Sequence, residues 1–282
     1  MTFLELKNYF SKQLSEIYTE SESMFIFQIF AESILALHTF QLRQLADQEI
    51  SPENEGEFHD IIAELKTGKP YLQILGETEF YGMKFFVDEN VLIPRPETEE
   101  LLELAIKKIQ GLMSNVQSLK ILDIGTGSGV IPLVLKKHFP KAEVTSIDFS
   151  EKALETAKKN AAFHQLEINF IHADYLNFNL NENFDIIISN PPYIGIDEEQ
   201  EIADSVKDFE PKMALFSPTS DTLIFYRKIA EDSAKYLNKN GLLFLEINQK
   251  FGAETLALYH EFSESILVKD LSENDRFIFG RK

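Results

Sequence analysis

The sequence predicts an α/β protein: a doubly wound, mostly parallel seven-stranded sheet, preceded by a small all-helical domain and a connecting β-hairpin. Three features of the chain lead there. Short apolar runs alternate with helical segments from Leu119 onward, a glycine-rich loop sits where the first run meets a helix, and residues 1 to about 70 carry only helical periodicity.

The helical pattern begins with Leu4, Leu6, Phe10 and Leu14, continues through Met24, Phe27, Phe30, Ile34 and Leu37, and resumes with Phe58, Ile61, Ile62 and Leu65. Thr2 is placed to cap the first helix. Ser51-Pro52-Glu53-Asn54 reads as an N-cap with proline at the first helical position. No residue type here carries chemistry, so residues 1–72 form a positioning module. Gly68-Lys-Pro70 ends the pattern, and the aromatic and β-branched residues around Gly76 and Tyr81-Gly82 predict a hairpin linker over 73–92. Residues 93–282 form the second domain. Pro96, followed by Glu97, Glu99 and Glu100, opens a helix through Ile109, its acidic first turn matching the helix dipole.

Five strands are expected at Lys120 to Ile124, Ala142 to Ile147, Ile168 to His172, Phe184 to Ser189 and Gly241 to Ile247, with helices near 130–138, 150–164 and 222–237 between them. Ser265 to Lys269 and Arg276 to Phe279 add an antiparallel hairpin at the sheet edge. In such sheets ligands lie beyond the C-terminal strand ends, at the point where strand order reverses.

The composition narrows the chemistry. Cysteine is absent, which removes disulfides, thiolate metal sites and cysteine nucleophiles. His38, His59, His138, His164, His172 and His260 lack metal-ligand spacing, and no metal is assigned. A net charge of −19 repels phosphate backbones and argues against nucleic acid as the partner. No stretch has the length and apolarity of a signal sequence or membrane span, so a cytoplasmic protein without membrane contact is expected.

Two motifs remain. Gly125, Thr126, Gly127, Ser128 and Gly129 let backbone approach a ligand at a helix N-terminus, but Val130 breaks the dinucleotide fingerprint and no phosphate-binding lysine follows. Asp148 ends the next strand, where a carboxylate can accept both hydroxyls of a ribose; Asp174 and Tyr175 end the one after, suited to an adenine amine and ring face. Adenosine without a required pyrophosphate fits S-adenosylmethionine. Asp123 either binds its amino acid portion or braces the loop. Asn190-Pro191-Pro192-Tyr193 then leaves the strand Phe184 to Ser189 as a rigid polar cup: a side-chain amide, a Pro191 carbonyl spared from local turns, and an aromatic face. Such a cup suits a planar N–H group, either an amide or a nucleobase edge.

This constellation resembles class I S-adenosylmethionine-dependent methyltransferases acting on planar nitrogens, with their Rossmann-like fold. Pro70 to Phe80, Leu92-Ile-Pro-Arg-Pro-Glu-Thr-Glu99, and Phe209-Glu-Pro211 with Ala214-Leu215 are similar to the peptide chain release factor glutamine N5-methyltransferase family. The resemblance implies methylation of the glutamine in the Gly-Gly-Gln motif of release factors, with residues 1–72 helping to dock the substrate; a monomer is expected. It assigns cofactor contacts to Gly125 through Gly129, Asp148, Tyr175 and Asn190, to which the strand-end position of Asp174 adds that residue. Substrate contacts fall on Asn190, Pro191, Pro192 and Tyr193, with Asn190, Pro191 and Tyr193 carrying catalysis. Tyr175 stands where tryptophan is common, and Asn248 of Glu246-Ile-Asn248 where glycine is expected, so that segment receives no role; Asp270 to Arg276 is similar to the family's closing pattern. The competing readings are a nucleic-acid amino-methyltransferase, a ribosomal protein glutamine methyltransferase, which matches less well at Arg95-Pro-Glu-Thr-Glu99, and a cofactor-binding adaptor, for which the cup has no use.

Overall fold

A computed structural model describes residues 1–113 and 118–282. They fall into two compact units, Met1–Gly76 with Asp204–Phe209, and Glu77–Ala203 with Glu210–Lys282.

The first unit contains α1 (Phe3–Gln13), α2 (Glu20–Leu35), α3 (Thr39–Leu42), α4 (Pro52–Lys66) and α5 (Tyr71–Leu75). Local chemistry sets where they start. Thr2 and Glu5, and again Thr19 and Glu22, exchange side-chain to backbone hydrogen bonds as capping boxes, and Ser51 caps α4 ahead of Pro52. The apolar stripes meet at Phe10, Phe27 and Phe58, with the Phe27 and Phe58 rings stacked 5.0 Å apart. Each such fully buried ring contributes roughly 1.5–3 kcal/mol, which is what holds together helices individually too short to persist in water.

The second unit opens with the hairpin β1 (Glu77–Phe80) and β2 (Met83–Phe86). Both turn residues, Tyr81 and Gly82, have positive φ (51° and 66°), as a two-residue hairpin loop of matching twist requires. Then come α6 (Pro96–Leu112), β3 (Lys120–Ile124), α7 (Val130–His138), β4 (Glu143–Asp148), α8 (Glu151–His164), β5 (Asn169–His172) and β6 (Phe184–Ser189). Next is α9 (Asp204–Phe209), part of the first unit, where Gln73 Nε2 donates to the Phe209 carbonyl at 3.0 Å. The chain ends with α10 (Lys212–Leu215), α11 (Ile224–Tyr236), β7 (Leu237–Glu246), α12 (Gly252–Ala257), β8 (Glu264–Lys269) and β9 (Asp275–Arg281).

The strand order is β5-β4-β3-β6-β7-β9-β8; the first five are parallel, and β9 runs antiparallel to both its neighbours. Alternation decides the layers. Ile186, Ile188, Leu242, Phe244, Phe277 and Phe279 pack with α6 and α7 on one face, while Ile187, Leu243, Leu245 and Ile278 pack with Tyr226 and Ile229 of α11 on the other. β3 and β6 are neighbours, although β4 and β5 lie between them in sequence, so a crevice opens beyond their C-terminal ends, where the residues after Ile124 and after Ser189 meet. No single described helix is long and apolar enough to cross a membrane.

Candidate active site

A cavity of about 500 Å³ lies at that crevice, wholly within the second unit and within the usual range of small-molecule sites. Gly125, Thr126, Gly127, Ser128, Asp148, Asp174, Tyr175, Asn190, Pro191 and Pro192, all expected from the sequence, line it. Gly129 and Tyr193 do not, and both support residues that do.

The loop after β3 is held from below. Gly125 N and Thr126 N donate to the Ile147 carbonyl at 2.9 and 3.3 Å, and Gly127 N donates to Asp148 Oδ2 at 2.8 Å. Gly129 has φ +86°, and a Cβ there would lie 3.2 Å from Ala157 Cβ and 3.3 Å from Leu133 Cδ1, so only glycine lets α7 start this close to α8. Beneath the loop, fully buried Asp123 accepts from Ser146 Oγ, which in turn meets Thr126 Oγ1 at 2.7 Å. Asp123 Oδ1 has no partner among the described residues, and burial pushes its carboxyl up to about 7, against the lowering effect of Ser146. Asp123 does not line the cavity.

Asp148, which lines the cavity, accepts from Ser150 N at 2.8 Å with Oδ1 while Oδ2 takes Gly127 N, which leaves each oxygen with acceptor capacity to spare. Burial raises its pKa and the backbone donors oppose that rise. Asp174 holds its own turn through Leu176 N and Asn177 Nδ2. Tyr175 is buried, its hydroxyl donating to Asp232 Oδ2 of α11 at 2.8 Å. The aromatic ring left exposed beside the carboxylate is that of Phe149, 59% exposed and lining the cavity.

An adenosine-bearing sulfonium cofactor fits these groups. The cavity wall supplies a carboxylate, the N-terminus of α7, the Phe149 ring, and a buried Ser128 hydroxyl with no partner among the described residues.

The cup after β6 sits on a buried polar network. Asn190 Nδ2 donates to Thr98 Oγ1 at 3.1 Å; Thr98 Oγ1 donates to Glu246 Oε2 at 2.8 Å; Tyr193 OH donates to Glu246 Oε1 at 3.2 Å. Burial pushes the Glu246 carboxyl up to about 7, with Thr98, Arg276 and Tyr193 acting against the rise and Glu97 with it. Burial and then Glu246 raise the Tyr193 hydroxyl well above its ordinary value. Asn190 Oδ1 and the Pro191 carbonyl accept no hydrogen bond from the described residues, and both residues line the cavity.

A family model described as methyltransferase small domain matches residues 106–208. A release factor glutamine methyltransferase of Flavobacterium psychrophilum is 44% identical over 279 residues, covering 97% of this chain and 98% of its own. One from Streptococcus pneumoniae is 39% identical over 275 residues, covering 97% and 95%. The chain belongs to the release factor glutamine methyltransferase family. Among solved structures, the hMettl16 catalytic domain in complex with an MAT2A 3'UTR hairpin is similar at TM-score 0.57 and 18% identity, over 75% of this chain and 81% of that one, a likeness of fold.

Several residues of this family member's site escaped sequence reasoning. Asn160 of α8 donates to the carbonyls of Ser128 and Phe86 at 2.8 and 2.9 Å and accepts from Phe86 N, tying loop to hairpin. Glu210 accepts from Arg95 Nη2 at 2.6 Å and Ile93 N at 3.0 Å, which links two of the three segments that carry the family resemblance. Asn248 donates to the Tyr193 carbonyl at 3.2 Å, a role in place of none. Glu246 carried a signal: it is a carboxylate at the C-terminal end of an apolar parallel strand, where the crevice lies. Thr98 carried none beyond its place in a helix's first turn.

Proposed function

We propose that this protein transfers a methyl group from S-adenosylmethionine to the side-chain amide nitrogen of the glutamine in the Gly-Gly-Gln motif of peptide chain release factors. The observation that carries the reading is the pair of unused acceptors, Asn190 Oδ1 and the Pro191 carbonyl, at the wall of a cavity that also holds the loop 125–129 and Asp148.

When bound, the cofactor supplies a methyl group on a cationic sulfur that keeps the bonding electron pair. Asp148 would accept its ribose hydroxyls, Phe149 and the Tyr175 segment would flank its adenine, Asp174 would accept from the exocyclic amine, and Gly125 through Gly129 would border its amino acid end. An amide nitrogen is a weak nucleophile because its lone pair is delocalised into the carbonyl. Asn190 Oδ1 and the Pro191 carbonyl accept its two N–H bonds and raise the electron density on nitrogen. Both hydrogen bonds strengthen as positive charge develops there, so they favour the transition state over the ground state. Pro191 and Pro192 stiffen the cup, and Tyr193, outside the cavity wall and fixed through Glu246, braces them from behind, an orientation effect. The surplus proton leaves to water.

Residues 1–72 dock the release factor, with 73–92 as linker to the transferase domain 93–282. The net charge of −19 favours a protein over a nucleic-acid substrate. We place the enzyme in the cytoplasm as a monomer. The test supplies labelled cofactor with release factor, ribosomal protein or DNA. Label on the release factor supports the reading, and label on DNA or ribosomal protein alone overturns it.

A further inference from the structure

Resting on the assignment of Asn190 as the acceptor of the substrate amide, we propose that Thr98 and Glu246 are positioning residues that lock the Asn190 side chain with its carbonyl oxygen toward the substrate. An asparagine amide is nearly symmetric in shape, and its two ends differ only in being donor or acceptor. Packing alone does not choose between them, and the reversed amide would set an NH2 group against the substrate's own N–H bonds.

The choice follows from counting protons. A threonine hydroxyl has one. Glu246 as a carboxylate only accepts, so the Thr98 proton is committed to Oε2 at 2.8 Å. Toward Asn190, Thr98 Oγ1 can then only accept, which requires Nδ2 to face it at 3.1 Å and turns Oδ1 the other way. The second carboxylate oxygen takes the Tyr193 hydroxyl at 3.2 Å, so one buried group orients both polar side chains of the cup. Thr98 and Glu246 are 4% and 1% exposed, which keeps water from supplying a substitute proton. Arg276 of β9 favours the ionised carboxylate and Glu97 of α6 opposes it, while Tyr226 of α11 donates to the Glu246 backbone carbonyl at 3.0 Å rather than to its side chain. A buried carboxylate whose bonds point to two motif residues is a costly way to fill space and an effective way to set direction.

The experiment compares Thr98→Val, Thr98→Ser and Glu246→Gln in single-turnover and steady-state methylation of a release factor. Valine keeps the volume and removes the proton; kcat falls at least about tenfold, with the cofactor Kd changed less than about twofold. Serine, which keeps the hydroxyl, restores most of the rate. In Glu246→Gln the new side-chain amide can donate to Thr98, which frees the Thr98 proton for Asn190 Oδ1 and reverses the Asn190 amide, so kcat falls at least as far although volume is kept. Wild-type kcat in both Thr98→Val and Glu246→Gln, or a serine variant as slow as the valine one, overturns the proposal. The Asn190 NH2 resonances in the free protein, assigned with Asn190→Asp, give a readout independent of substrate: slow hydrogen exchange in wild type, fast in Thr98→Val. That pattern from an enzyme that leaves release factor unmethylated overturns the substrate reading and supports the lock; equal exchange in both overturns the lock.

Discussion

Replacing Asp123 by asparagine should flatten the pH dependence of folding stability. Asp123 is fully buried, one of its oxygens has no partner among the described residues, and burial pushes its carboxyl up to about 7 from an ordinary value of 3.8. A raised pKa means the folded state holds the proton more tightly than the unfolded chain. The stabilisation is therefore complete below pH 3.8 and is lost as pH rises through about 7. Between pH 5.5 and 8 this group alone removes about 2 kcal/mol of folding free energy, integrating the difference in bound protons. The asparagine side chain is nearly isosteric with the aspartate, still accepts from Ser146, and has no such titration. Urea denaturation followed by far-UV circular dichroism, the chain lacking tryptophan, should show wild type losing about 2 kcal/mol more than the variant over this range. Equal slopes would overturn this expectation and mean that the carboxylate is compensated within the fold. Repeating the series with saturating S-adenosylmethionine separates the two roles the sequence allows for Asp123, of which its place outside the cavity wall favours the brace. A contact with the cofactor's ammonium stabilises the ionised form and flattens the wild-type slope, whereas a pure brace leaves it unchanged.

Four further outcomes are expected. Asn190→Ala should lower kcat by about 100-fold or more with cofactor affinity nearly unchanged, read by steady-state kinetics and calorimetry. Asp148→Ala should weaken cofactor Kd by about 10- to 100-fold through lost ribose bonds and the freed Gly127 amide, read by calorimetry. Gly129→Ala, forced to φ +86° against Ala157, should cost about 2 kcal/mol and lower Tm by roughly 4–8 °C in a thermal melt. Wild-type kcat should rise with pH through about 7 as Glu246 ionises, in the field of Arg276, Glu97, Tyr193 and Tyr226, and Glu246→Gln should be slow and flat in a pH–rate profile.

The parts of the fold legible in the sequence are those written in local spacing. Thr2 and Ser51 announce helix starts within three residues, and the apolar runs Phe184 to Ser189 and Gly241 to Ile247 announce two of the buried parallel strands. The glycine loop, Asp148 and Asn190 were legible for the same reason: each lies at a strand end, which the topology brings to one crevice. What stayed hidden depends on pairs far apart in the chain. Thr98 meets Glu246 across 148 residues and Asn190 across 92, and nothing local in any of the three names the others. Tyr175 was expected to offer a ring face, but its hydroxyl finds Asp232, 57 residues on, while Phe149 takes the exposed aromatic position. The short helices α9, α10 and α12 lack the length for a readable period.

The proposed chemistry comes down to one nitrogen, and peptide mass spectrometry of a release factor after incubation with the purified enzyme and labelled S-adenosylmethionine tests it directly. The expected product carries a single added methyl on the side-chain amide of the Gly-Gly-Gln glutamine, absent when that residue is changed to glutamate. A methyl on any other residue, or an unmodified glutamine with active enzyme, would contradict the proposed function.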